Sequence, residues 1–297
     1  MTQIVDGKLI SQKILNKISQ KVAKAKIKPT LAVILVGSDP ASQLYVRIKE
    51  KICQKVGIGF IRYDFADNIS KNTILDLINK LNNDKSISGI IIQLPLPTQL
   101  DTNQIISAIS PNKDVDGLNA INIKKLSTKK PGIIPPTPAA ILEILKYYKI
   151  NINNKNIVLV GYGKLVNKPL YEILKSVKRT NQITICDKDT VDLANITKKA
   201  DILITATGVA NLITKNMIKK GAVVIDAGTT VVINQKSKIK NQKITKVISG
   251  ISEKRSVVGD VDFEEVKEIA SLITAPTGGV GPITVAKLLE NVVNANK

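Results

Sequence analysis

The chain contains no histidine, so any acid–base work falls to lysine, tyrosine, cysteine or a carboxylate. The same absence removes the Ser-His and Cys-His nucleophile systems and most zinc sites, and no metal-ligand set is assigned. The segment ASQLYVRIKEKIC (41–53) sets Tyr45 and Lys49 four residues apart, on one face of an expected helix. Alone, this spacing more often marks a solvated pair. It becomes reactive when the amine is desolvated: a lysine serves as base or proton shuttle near neutrality once its pKa falls from about 10.4 to about 7–8. Such a shift costs about 3–5 kcal/mol, which burial in a pocket supplies.

Two more segments carry polar groups where a pocket would need them. In GIIIQLPLP (89–97) an apolar strand ends at Gln93 and two prolines stop it. The carboxyl ends of strands line the ligand crevice of an open α/β sheet, which puts Gln93 at a rim. A neutral amide there would hold a lysine without raising its pKa as a carboxylate would; the plainer reading is a residue that caps the strand. In PNKDVDGLNAIN (111–122), Asp114 and Asp116 precede Gly117, but the remaining ligands of a calcium loop are missing. One carboxylate facing a pocket would instead accept two hydrogen bonds from an amidine-like ring edge.

A third set suits a phosphate. The strand NIVLV (156–160) runs into GYGKLVNKPL (161–170), where Gly161 and Gly163 let the backbone approach a pyrophosphate at a helix N-terminus. The full GxGxxG fingerprint is absent, because Val166 and Asn167 follow. Asp187 ends the next strand, QITIC (182–186), where an acid binds ribose hydroxyls and repels a 2′-phosphate; Lys188 partly offsets it.

The elements that must position these groups follow from the apolar runs. LAVILV (31–36), IGFIRY (58–63) and GIIIQL (89–94) occupy the first half, with helical stretches at about 41–56 and 70–83. NIVLV, QITIC, DILIT (201–205) and AVVID (222–226) occupy the second. This alternation predicts an α/β fold with parallel strands; together with the dinucleotide-type turn at 161–170 and the Pro-rich stretch at 131–140, the expectation is two lobes with a cleft, the second a Rossmann-like dinucleotide-binding domain. PGIIPPTPAA (131–140) marks the boundary, with a helix expected from Pro138, and residues 281–297 read as a closing amphipathic helix. The expected division is 1–138 plus a returning 272–297, and 139–271. Apolar residues make up 43% and aromatics 3%, with no Trp, so the core must come from Ile, Leu and Val, as suits a parallel sheet.

The net charge of +20 arises from 44 basic and 24 acidic residues. Lysines are scattered and arginines few, which speaks for a generally basic surface that steers anionic substrates rather than a nucleic-acid reader. Cys53 and Cys186 suit reduced thiols in a cytoplasmic protein. No signal peptide and no apolar run of membrane-spanning length is read.

YVRIK with Lys49, QLPLP with Gln93 and KDVDG with Asp116 resemble the signature segments of the methylenetetrahydrofolate dehydrogenase/cyclohydrolase (FolD) family. VDGKLIS (5–11), the turn at 157–170, GAVVIDAG (221–228), GDVDFEEV (259–266) and GGVGPITVAKLLENVV (278–293) extend the resemblance, in order, over nearly the whole chain. It implies oxidation of 5,10-methylenetetrahydrofolate with NADP or NAD, then hydrolysis of the methenyl product to 10-formyltetrahydrofolate. It implies Lys49 as the proton-moving lysine, Tyr45 orienting the one-carbon centre, Gln93 bound to Lys49, and Asp116 anchoring the pterin. Ser42 and Leu94 would lie beside them, with Gly278, Gly279 and Pro282 in a loop that encloses substrate. The cofactor site would comprise Gly161, Tyr162, Gly163, Asp187, Thr207 and Thr229. A homodimer through the nucleotide domains is implied, with no nucleic-acid or membrane partner.

The chain departs from the family pattern in four places. Tyr162-Gly163 stand where the family commonly has Arg-Ser holding a 2′-phosphate, and Asp187-Lys188-Asp189-Thr190 replace a His-Ser-Arg-Thr-like run. Pro135-Pro136-Thr137-Pro138 replaces Pro-Cys-Thr-Pro, and Thr274-Ala275-Pro276-Thr277 replaces Thr-Pro-Val-Pro. These changes leave cofactor preference open between NADP and NAD. They also leave two other readings standing: a cyclohydrolase with lost or weak dehydrogenase activity, and, more remotely, a basic nucleic-acid-binding protein.

Overall fold

A computed structural model of the protein describes residues 2–128, 130–175, 182–234 and 254–295. The apolar runs form parallel strands, most of them buried on both faces. In order, the strands are β1 (Gln3–Val5), β2 (Thr30–Val36), β3 (Gly59–Phe65), β4 (Gly89–Ile92), β5 (Asn156–Val160) and β6 (Gln182–Cys186). They continue with β7 (Ile202–Thr205), β8 (Val223–Asp226), β9 (Thr230–Asn234), β10 (Lys254–Val258) and β11 (Leu272–Thr274).

Two parallel sheets result. The smaller runs β3-β2-β4, with Ala32 opposite both Ile61 and Ile90. The larger runs β1-β11-β8-β7-β5-β6, all parallel, and β9 and β10 form a separate antiparallel pair. Strand order reverses at β5, which has β6 on one side and β7 on the other: the point where such sheets open a crevice for a dinucleotide. The two-lobed α/β expectation therefore stands. Residues 3–5 and 272–274, from opposite ends of the chain, pair with each other within the larger sheet.

The period-2 alternation of β2 divides its side chains between two cores. Leu31, Val33 and Leu35 join a cluster that also holds Ile157 and Leu159 of β5. Ala32, Ile34 and Val36 face the helix Lys71–Asn83 through Ile74 and Ile78. The first cluster includes residues of the helices Gly7–Ala23, Pro136–Tyr147 and Val280–Ala295, which pack on one another. One continuous core thus ties both sheets to a shared helical layer. The helix after the Pro-rich stretch starts at Pro136, two residues earlier than the sequence suggests. Its first-turn N–H groups need no partner inside the helix, so Pro136 and Pro138 are both tolerated there. Among the described residues, no helix is long and apolar enough to cross a membrane.

The helix Pro40–Val56 has a defined start and stop. The Asp39 carboxylate accepts the Ser42 N–H at 2.7 Å, Pro40 occupies the first turn, and Gly57 at φ +85° ends it. The turn after β5 is tighter. Gly161 has φ +86°, and a Cβ there would lie 2.6 Å from the Ala206 carbonyl oxygen. The Asn167 amide spans the turn from below, donating to the carbonyls of Val160 (2.9 Å) and Gly161 (2.7 Å). Gly161→Ala must therefore pay for both a left-handed backbone and a main-chain clash. We expect it to lower stability by about 1–3 kcal/mol, read as a lower urea midpoint; an unchanged midpoint refutes the strained-turn account.

Candidate active site

Tyr45 and Lys49 sit one turn apart on the helix Pro40–Val56 and face a cleft of about 470 Å³. Val46 and Cys53, one turn to either side of Lys49 on the same stripe of the helix, are fully buried, so Lys49 lies along the face that packs inward. Lys49 is partly buried as a residue, yet its amine end is desolvated enough to hold its pKa below the ordinary lysine value. The charge of Asp116 offsets this in part. Cys53 itself is pushed up to about 12 by burial and stays a thiol.

The amine has one defined partner. Lys49 Nζ donates to Gln93 Oε1 at 3.0 Å, and Gln93 Nε2 donates to the Leu94 carbonyl at 2.8 Å. That second bond settles the orientation of the amide: its nitrogen is occupied, so its oxygen faces the lysine. Gln93 is itself tied to β2, its N–H bonding the Ile34 carbonyl at 2.9 Å. The prolines after it end the strand, and Leu94–Pro95 is a cis peptide.

The two aspartates of the KDVDG segment divide their roles. Asp114 is 2% exposed and stitches its own loop, accepting from the Asn119 N–H (2.8 Å) and Asn122 Nδ2 (2.9 Å). Asp116 instead lines the cleft. Desolvation lifts its pKa to about 6; the Lys49 charge works against that rise, and the Asp114 charge adds to it. Amine, amide and carboxyl thus converge on one water-poor space.

The remaining expected folate-side residues fall in two groups. Leu94 lines the cleft. Ser42 is buried in the first turn of its helix, outside the cleft lining, with its N–H held by Asp39. Gly278, Gly279 and Pro282 also lie outside the lining, whereas Val280, Gly281 and Thr284 are in it. Gly279 packs on the start of the chain so closely that a Cβ on Gly7 would meet its carbonyl oxygen at 1.8 Å.

On the dinucleotide side, Gly161, Tyr162 and Gly163 follow β5, and Thr207 follows β7, flanking the point of strand-order reversal. Gly161 presses on the Ala206–Thr207 segment, while a Cβ at Gly163 would meet nothing within 4 Å. Open space beside Gly163, next to the N-terminus of the helix Asn167–Lys175, fits a pyrophosphate. Tyr162 is 38% exposed and packs edge-on against Tyr171 at 6.3 Å. Asp187 is exposed at the tip of β6, where its Oδ1 accepts from the Asp189 N–H and the Thr190 hydroxyl, both at 3.1 Å. Thr229 reaches the folate-side cleft rather than the β5 turn. Among the described residues, no group of three or more His, Cys, Asp or Glu could hold a metal.

Sequence reasoning passed over the far wall of the cleft. Asp226, at the carboxyl end of β8, lines it together with Ala227 and Gly228, and burial pushes the Asp226 carboxyl up to about 6. The signal was present: AVVID ends in a polar residue just as GIIIQ does. Leu118, next to the KDVDG segment, and Pro135 and Thr137 of the inter-lobe stretch also line the cleft.

The comparisons with known proteins agree with this geometry. Residues 5–116 match the family model for the tetrahydrofolate dehydrogenase/cyclohydrolase catalytic domain, and residues 135–297 that for its NAD(P)-binding domain. The bifunctional protein FolD of Aquifex aeolicus is 43% identical over 302 residues, covering 100% of this chain and 96% of its own. The crystal structure of the bifunctional enzyme FolD of Campylobacter jejuni superposes with a TM-score of 0.89 at 39% identity, covering 100% of this chain and 99% of the other. The Trypanosoma brucei N5,N10-methylenetetrahydrofolate dehydrogenase-cyclohydrolase, solved with NADP and an inhibitor, gives 0.90 at 30% identity, over 99% and 97% of the two chains. With both halves matched in order and the lysine, glutamine and aspartate meeting in one cleft, the chain belongs to the tetrahydrofolate dehydrogenase/cyclohydrolase family.

Proposed function

We propose that this protein oxidises 5,10-methylenetetrahydrofolate to 5,10-methenyltetrahydrofolate with NAD(P)+ and hydrolyses that product to 10-formyltetrahydrofolate. The 3.0 Å bond from the Lys49 amine to the Gln93 amide, in a cleft shared with Asp116, carries this reading. We assign the folate to residues 1–138 with the returning 272–297, and the dinucleotide to 139–271. The closing helix packed on Gly7–Ala23 and the reversal of strand order at β5 support that division. A homodimer remains part of the reading through family resemblance.

Asp116 anchors the amidine-like edge of the pterin, and Tyr45 covers the ring beside the one-carbon bridge. A nicotinamide dinucleotide, which Gly161, Gly163 and Thr207 would hold, would supply the acceptor for the hydride that leaves the methylene carbon, the folate becoming a methenyl cation. Water adds to that carbon. The Lys49 amine, uncharged for part of the time because its desolvated site disfavours the ammonium, takes one water proton and returns it to the ring nitrogen as the carbon–nitrogen bond breaks, while the second water proton leaves to solvent as the formyl C=O forms. Gln93 holds the amine without stabilising its charged form as a carboxylate would.

Methenyl formation followed by absorbance, in parallel with NAD and NADP, and hydrolysis of supplied methenyltetrahydrofolate test the reading; a folded enzyme that does neither refutes it. Lys49→Met removes the proton carrier and should lower hydrolysis by about 10²-fold or more, and a wild-type rate in that variant overturns the assignment. In Asp116→Asn the charge that raises the Lys49 pKa is gone. That pKa falls further, so the rising limb of the hydrolysis pH profile moves to lower pH while the folate KM rises; an unmoved limb with unchanged KM refutes the coupling. Tyr162 provides no cationic partner for a 2′-phosphate, and the exposed Asp187 repels one. We expect relaxed or NAD-leaning use, and a kcat/KM ratio favouring NADP by about a hundredfold or more overturns that expectation.

A further inference from the structure

Two buried carboxylates, Asp226 of the cleft lining and Asp260 outside it, lie side by side among the loops that follow β7, β8 and β10. Asp260, two residues past β10, is 0% exposed. Its Oδ2 accepts the Thr207 N–H at 2.5 Å and its Oδ1 the Gly208 N–H at 2.9 Å. Asp226, 5% exposed, accepts from the Thr205 hydroxyl at 3.0 Å, the Gly228 N–H at 2.9 Å and the Val261 N–H at 2.9 Å. The surrounding backbone is shaped to this pair. A Cβ on Gly228 would lie 2.0 Å from Asp260 Oδ1, and one on Gly259 would lie 2.0 Å from Asp226 Oδ2.

Asp260 thus holds two successive N–H groups, of Thr207 and Gly208, in the segment that follows β7. That segment is also pinned elsewhere: Ala206 N–H bonds the Val160 carbonyl at 2.9 Å, and the Thr230 hydroxyl bonds the Gly208 carbonyl at 3.0 Å. Its Ala206 carbonyl would lie 2.6 Å from a Cβ on Gly161. The consequence is a fixed wall at the β5–β7 switch point, where the carboxyl ends of the strands receive a dinucleotide. A carboxylate accepts two neighbouring N–H groups at once; an asparagine in its place accepts one and turns its amide nitrogen toward the other. Asp260 lies outside the lining of the folate cleft.

We propose that Asp260 is a positioning residue for the dinucleotide: by chelating the Thr207 and Gly208 amides it sets the 206–208 wall for hydride transfer, and methenyl hydrolysis does not need it. The inference rests on the bifunctional reading above and deepens it, since one reaction consumes a dinucleotide and the other does not.

Asp260→Asn in the full-length protein tests it, with both reactions measured on the same preparation beside wild type. The expected result is a dinucleotide KM raised by at least about tenfold, with hydrolysis kcat/KM within about twofold of wild type. A dinucleotide KM within about twofold of wild type overturns the proposal, as does a parallel fall of both activities, which marks a purely structural role. Should this variant not fold, Thr230→Val removes one hydroxyl contact to the same segment. It should raise the dinucleotide KM about threefold with hydrolysis unchanged, and an unmoved KM again overturns the proposal. Wild-type protein with neither activity defeats the bifunctional reading and this inference together, whereas an active wild type with an indifferent variant defeats this inference alone.

Discussion

An amine taken out of water and given a neutral partner is the constraint around which this molecule is arranged. Lys49 cannot be desolvated on an isolated helix; that requires a wall opposite it, and the wall comes from β4, the KDVDG loop and the closing helix. Each neighbour then has a defined electrostatic sense. Gln93 bonds the amine without a charge of its own, and Asp116 supplies a charge that limits how far the lysine pKa falls. The same burial raises Asp116 to about 6. A lysine and a carboxyl poised in opposite directions from their ordinary values suit a site that must bind a neutral ring edge and also move a proton.

Holding that cleft in shape requires both ends of the chain. The helix Val280–Ala295 packs on Gly7–Ala23 and Pro136–Tyr147, and β1 pairs with β11 inside the larger sheet. The two sheets therefore share one apolar core. The close approach of Gly7 to Gly279 brings the N-terminal helix against the turn that starts the closing helix, whose first residues line the cleft.

Buried carboxylates serve as fasteners in this protein as much as reagents. Asp114 and Asp260 each hold two donors, and Asp226 holds three. A buried carboxylate is tolerated when several N–H or O–H groups replace its lost hydration, and it then fixes the donors it holds. Glycine at 228 and 259 reflects the same need, because any side chain there would overlap a carboxylate oxygen.

Much of this was legible in the residues. Runs of Ile, Leu and Val announced the parallel strands, the (i, i+4) spacing placed Tyr45 with Lys49, and the polar residue ending GIIIQ put Gln93 at a rim. The helix over 41–56 and the glycine turn at 161 follow from local chemistry: capping, helical periodicity and the freedom of glycine at positive φ. Three matters were decided elsewhere. Which aspartate of KDVDG faces the cleft depends on Asn119 and Asn122 claiming Asp114. Whether Lys49 loses its hydration depends on β4 and the closing helix arriving opposite it, and the pairing of Asp226 with Asp260 joins the end of β8 to the loop after β10. Spacing along a chain sets which groups share a face; dielectric, hydrogen-bond competition and close packing belong to segments distant in sequence, and only folding brings those together.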